Sequence, residues 1–105
     1  MKEIDRTIAL ELKRRLATVA SVVDFCVFGS RARGSAGEDS DLDVFVEVET
    51  ADTATRHAIE SAIWEVSFGH CVVISPFIVT KQELEETALR SSPIVLAILQ
   101  EGVRP

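Results

Sequence analysis

At 105 residues, 47% hydrophobic and 27% charged, the chain is sized for one domain (1–105) with a modest core. A formal net charge of −6 offers no basic face to neutralise a phosphate backbone, which argues against broad nucleic-acid binding. No apolar run approaches the ~20 residues of a membrane span, and the opening Met1-Lys2-Glu3-Ile4-Asp5 is no signal peptide, so a cytoplasmic protein is expected.

Taken in order, Ile4, Ile8, Leu12, Leu16 and Val19 recur at helical spacing, with Arg6, Glu11, Lys13 and Arg14 on the other side. That pattern predicts an amphipathic helix over residues 3–20, covering one face of a sheet. Residues 22–28 read as a buried strand that stops at Gly29-Ser30. A second strand is expected over 42–49, with Leu42, Val44, Val46 and Val48 toward the core and Asp43, Phe45, Glu47 and Glu49 on the other face. A break follows, with Asp52 or Thr53 as cap, and then a helix to about Ser67 whose inner stripe is Ile59, Ala62, Ile63 and Val66. On it, His57 reads as a surface residue. Trp64 either packs at the sheet edge or faces a base, and packing is the commoner use of a lone tryptophan.

Residues 71–79 read as the third strand, and Pro76, which donates no ladder hydrogen bond, predicts that it lies at an edge or is bent there. His70 falls in the turn before it, with no partner at a recognisable spacing. Cys26 and Cys71 lie in apolar strand-like runs and read as reduced core cysteines. Thr80-x-x-Glu83 has the form of a capping box and opens a short helix through Leu89. Ser92-Pro93 starts a last helix that Gly102 stops. Ile94, Leu96, Ile98 and Leu99 leave that helix apolar on more than one side, so a partner or dimer contact is expected there. The element order predicts an α/β (α+β) architecture: a small mixed sheet of three strands with helices mainly on one face, and the aspartate face open as a shallow cleft.

The chemistry concentrates between the first two strands. A chain that turns from strand into helix at a glycine presents several N–H groups outward, which suits a phosphate, and Arg31 and Arg33 add charge. Asp41 and Asp43 share one face by strand alternation, and a divalent cation offsets the repulsion between two such carboxylates. Singly, a post-strand glycine is usually a turn, surface arginines are usually solvated, and Asp-x-Asp often just opens a strand. The combination at this spacing is far more specific.

Gly29-Ser30, ten intervening residues and Asp41-x-Asp43 resemble the signature of the DNA polymerase beta-like nucleotidyltransferase superfamily. The fuller text FGSRARGSAGEDSDLDVFV resembles its small branch, the minimal nucleotidyltransferases. The resemblance implies Mg²⁺ on Asp41 and Asp43, an NTP such as ATP held by Gly29, Ser30, Arg31 and Ser40, and Arg33 assisting catalysis with the two aspartates. It also implies a helical HEPN-type partner, as in toxin–antitoxin pairs, and the open face suggests self-association.

The third strand departs from that pattern. The resemblance implies a third carboxylate there, in a Val-Asp-Leu-Val-like run, but this chain has Val72-Val73-Ile74-Ser75 and no acid from Ser67 through Gln82. Alignment sets Val73 at the missing position; Glu47, on the Asp43 face, is the nearest substitute, and a carboxylate from a partner chain is the other. Two readings follow: nucleoside monophosphate (AMP) transfer to a hydroxyl, most naturally on a partner protein, or a catalytically impaired module that binds nucleotide or a partner.

Overall fold

The computed structural model describes residues 1–35, 37 and 39–105. Helix α1 (Glu3–Val19) leads into strand β1 (Val22–Phe28), the short helix α2 (Gly29–Arg33) and strand β2 (Leu42–Val48). Helix α3 (Thr53–His70), strand β3 (Ile74–Thr80), helix α4 (Lys81–Glu86), a 3₁₀ turn (Ala88–Ser91) and helix α5 (Pro93–Glu101) complete the chain. The strands lie in the order β1-β2-β3, with β1 antiparallel and β3 parallel to β2. The expected small mixed sheet is therefore present. Pro76 sits on an edge strand, where its missing donor costs nothing.

One face of the sheet packs on the two long helices. Ile8, Leu12 and Leu16 of α1 and Ile59, Ile63 and Val66 of α3 bury against Leu42, Val44, Val46 and Val48. The ends of the α1 stripe overhang, since Ile4 and Val19 are exposed, and Asp5 is buried instead. The opposite face carries a second cluster in which Ile98 of α5 covers Cys26, Phe45 and Val79. Phe45, expected beside the acids on the outer face, is thus fully buried. This closes the middle of the second face; toward the start of β2 Asp43 stays half-buried, and toward its end Glu47 lines a separate cavity of about 270 Å³.

Chain closure depends on the last residues. Val27 and Val103 exchange both backbone hydrogen bonds, at 2.9 and 2.7 Å, so the C-terminal segment pairs with β1. Gly102 stops α5 as expected, but for reasons of contact: a Cβ there would collide with the Ile98 carbonyl and Cys26 Sγ. Asp52 caps α3 by accepting the Thr55 N–H at 2.7 Å. The Thr80–Glu83 capping box closes in both directions, at 3.1 and 3.2 Å, though α4 ends at Glu86 and Leu89 falls in the 3₁₀ turn.

The sequence reading fails between the second helix and the third strand. Helix α3 runs on to His70, whose ring nitrogen pairs with Glu11 of α1. Cys71 caps it in the left-handed conformation at φ 52°, and the Val72 N–H closes back on the Ser67 carbonyl at 3.1 Å. Residues 71–73 are consumed by this turn, so β3 starts at Ile74 and Cys71 is exposed rather than in the core. Trp64 is also exposed, stacked on Phe68 at 5.1 Å and 7°, and α3 lies on the sheet face away from the aspartates, so it neither packs at the sheet edge nor faces a base. His57 is exposed as expected. Among the described residues no helix is long and apolar enough to cross a membrane.

The two cysteines should differ sharply in reactivity. Burial, assisted by the nearby Asp24 charge, pushes the Cys26 thiol up to about 11, while Cys71 is exposed. Mass spectrometry after iodoacetamide treatment at pH 8 should show one label in the native protein, on Cys71, and two after urea. Two labels without denaturant would contradict this packing.

Candidate active site

The site is assembled where β1 ends and β2 begins. Gly29 starts α2 at φ +74°, a conformation that favours glycine, and directly faces the second strand. A Cβ at Gly29 would run into Asp43 Oδ2, so the turn and the carboxylate fit together only because position 29 has no side chain. The register explains the approach: Asp43 stands opposite Phe28 on β1 and opposite Ser75 on β3. Asp43 is half-buried, and Asp41, just before the strand, is exposed. Ser30 is half-buried in the first turn of α2, and its carbonyl accepts the Ser35 N–H at 3.1 Å. Gly34 ends α2 at φ 76°.

The two arginines have different positions. Arg33 is exposed, and its charge reaches Asp43. Arg31 is buried beneath the loop: its guanidinium donates to Asp5 Oδ1 at 2.6 Å and, through Nε, to the Ser40 carbonyl at 2.8 Å. The residue expected to touch nucleotide thus braces α1, α2 and the entry to β2. Ser40 contributes its backbone to this brace, and its own N–H donates to the Gly37 carbonyl at 3.2 Å. Sequence reasoning missed Asp5, whose place on a helix otherwise lined with apolar residues was the only signal.

Electrostatics follow the geometry. Burial and then the Asp41 charge raise the Asp43 carboxyl above the ordinary value of 3.8, and Arg33 partly opposes them. Asp41, just before β2, and Asp43, two residues on and against the Gly29 turn, offer hard carboxylate oxygens that fit Mg²⁺. Magnesium typically takes one or two carboxylates and completes its shell with phosphate and water.

No third acid joins them among the described residues, where no cluster of three or more His, Cys, Asp or Glu side chains suited to a metal occurs. Val73 lies just before β3, largely exposed, and its carbonyl accepts the Leu42 N–H at 2.9 Å. The β3 residue opposite Asp43 is Ser75. Glu47 is no substitute. Four residues along β2 separate it from Asp43, about 13 Å at strand spacing, and buried Phe45 lies between. Its own carboxyl is raised by burial and by the charges of Asp24 and Glu85. His70 belongs to the α1–α3 side through Glu11, where its hydrogen bond holds the Glu11 carboxyl below the ordinary value.

A nucleotidyltransferase-domain family model matches residues 6–99, and the chain belongs to that family. Its architecture is that of a minimal nucleotidyltransferase: it is similar to a solved structure assigned to that group, with a TM-score of 0.68 and 26% identity over 98% of this chain and 94% of the other. No curated protein matches significantly.

Two outcomes follow from this geometry. Asp5→Ala removes the carboxylate of a buried ion pair and should cost about 3–5 kcal/mol in urea unfolding, the range for breaking such pairs; a loss under about 1 kcal/mol would contradict the brace. Asp43→Asn should act in the opposite sense without metal. A raised folded-state pKa means that the native protein binds more protons than the unfolded chain, so this group's contribution falls as pH rises from the ordinary carboxylate value through the folded one. The variant should therefore be slightly more stable at pH 7, by under ~1 kcal/mol for a half-buried group that solvent still screens, and the gain should vanish near pH 3.5. Thermal melts at the two pH values test the sign.

Proposed function

We propose that the chain transfers a nucleoside monophosphate, AMP from ATP, to a hydroxyl group on a partner protein. The single observation that carries this reading is the contact of the Gly29 turn with the Asp43 carboxylate, which brings an anion-binding turn and a hard-cation site together. The hydroxyl oxygen attacks the α-phosphorus and gives its proton to solvent, a new P–O bond forms, the bond to the bridging oxygen of the β-phosphate breaks, and pyrophosphate leaves. Backbone N–H groups at Gly29 and Ser30 hold the phosphate tail, and Arg33 adds positive charge beside it. Asp41 and Asp43 would hold Mg²⁺, which supplies charge neutralisation to the triphosphate. Arg31 positions the loop from below. A helical HEPN-type partner would present the acceptor hydroxyl.

A specific observation favours a second reading. Neither Ser75, opposite Asp43 on β3, nor Val73, just before that strand, is an acid, so the third strand offers no carboxylate beside the pair to take the hydroxyl proton. On this reading the domain binds Mg-nucleotide, or a partner alone in an antitoxin-type pair, without transfer.

Calorimetric titration with ATP and GTP, with and without Mg²⁺, tests the site. Binding that requires Mg²⁺ and is lost in the Asp41→Ala/Asp43→Ala variant is expected. No binding of either nucleotide at millimolar concentration would shift the assignment to a partner-binding module. Label from [α-³²P]ATP appearing on a helical partner would separate the two readings, and its absence would favour the second.

A further inference from the structure

Beside the Gly29 turn lies a cavity of about 150 Å³ that shares Gly29 and Arg33 with the phosphate site and extends away from it to α5. One wall is Phe28, Gly29 and Arg33. The other is a single stripe of α5, formed by Ile94, Ala97, Ile98 and Glu101 at the i, i+3, i+4, i+7 spacing of one helical face. Its volume is well below the ~300–1,000 Å³ of pockets that enclose a whole drug-sized ligand. It has room for one flat ring system.

Its chemistry is that of a slot for such a ring. Phe28, Ile94 and Ile98 give apolar walls, and small Ala97 leaves the space between them open. Arg33 and Glu101 both line the slot, yet no ion pair joins them among the described residues. Gly29, on the same wall as Arg33, abuts the Asp43 carboxylate, so that end of the slot faces the phosphate side. A carboxylate accepts hydrogen bonds and cannot donate them, so Glu101 calls for an N–H at the far edge of the ring.

We infer that this cavity is the nucleobase subsite, and that Glu101 selects a purine carrying an exocyclic amino group, adenine in the first instance. The inference rests on the reading that the Gly29 turn and the aspartates hold a triphosphate. Apolar contact on the ring faces supplies affinity, and the amino-to-carboxylate hydrogen bond supplies discrimination, because an analogue without the amine forgoes that charge-assisted bond.

The test is calorimetry in Mg²⁺ with three probes: ATP, purine riboside 5′-triphosphate, which lacks the amine, and inorganic tripolyphosphate. Each is titrated into wild type, Ala97→Phe and Glu101→Leu. Both positions are exposed, so the fold should tolerate the changes, as thermal melts would verify. Wild type should bind ATP about tenfold or more tighter than the deaminated analogue. Glu101→Leu should bring ATP down to the analogue's affinity and leave the analogue unmoved. Ala97→Phe, which fills the slot, should weaken both nucleotides and spare tripolyphosphate. If the three probes bind wild type equally, if the variants leave ATP unmoved, or if they weaken tripolyphosphate as well, the base subsite is wrong while the triphosphate site stands. If wild type binds none of the probes, both this inference and the reading beneath it fall.

Discussion

The buried pair between Asp5 and Arg31 is the constraint on which the site depends. At 2.6 Å, with side chains 2% and 9% exposed, it joins the first turn of α1 to α2. The same guanidinium holds the Ser40 carbonyl, one residue before Asp41. Three segments distant in sequence therefore converge on one cation. Desolvating two charges is expensive, and such a pair need not add net stability over an apolar alternative. Its consequence here is positional: it sets the loop that delivers the aspartates to the strand.

The second constraint is the double burial of β2. The long helices cover its aliphatic face, and α5 covers Phe45 on the other. Phe45 therefore divides that second face, separating Asp41 and Asp43 against the Gly29 turn from the cavity at Glu47. A larger cavity of about 440 Å³ lies between α1 and α3, on the face away from the aspartates, and its charged residues Arg15 and Glu65 are paired with each other at 2.7 Å. Size alone would have pointed to the wrong face.

Much of the fold was legible in the sequence because it is locally encoded. The α1 and α3 stripes, the β1 and β2 runs, the Thr80–Glu83 box and the Ser92-Pro93 start each lie within a few residues, where periodicity and capping chemistry act. The Gly29-Ser30 and Asp41-x-Asp43 pattern was equally legible, because a glycine turn and same-face carboxylates follow from backbone geometry. The boundary near His70 was not. Cys71 and Val72 have strand composition, but the Glu11 contact and a left-handed cap at Cys71 draw them into a helix end.

What the sequence determined by itself was the set of elements and the identity of the groups available for chemistry, since both depend on spacing along the chain. What only the tertiary structure decided was which groups share a place. It turned Arg31 inward to Asp5, left Arg33 near Asp43, buried Phe45 under α5, and set Ser75 opposite Asp43. Those outcomes depend on strand register and on α5 folding over the sheet. They are contacts between distant residues, and no local pattern in the chain encodes them.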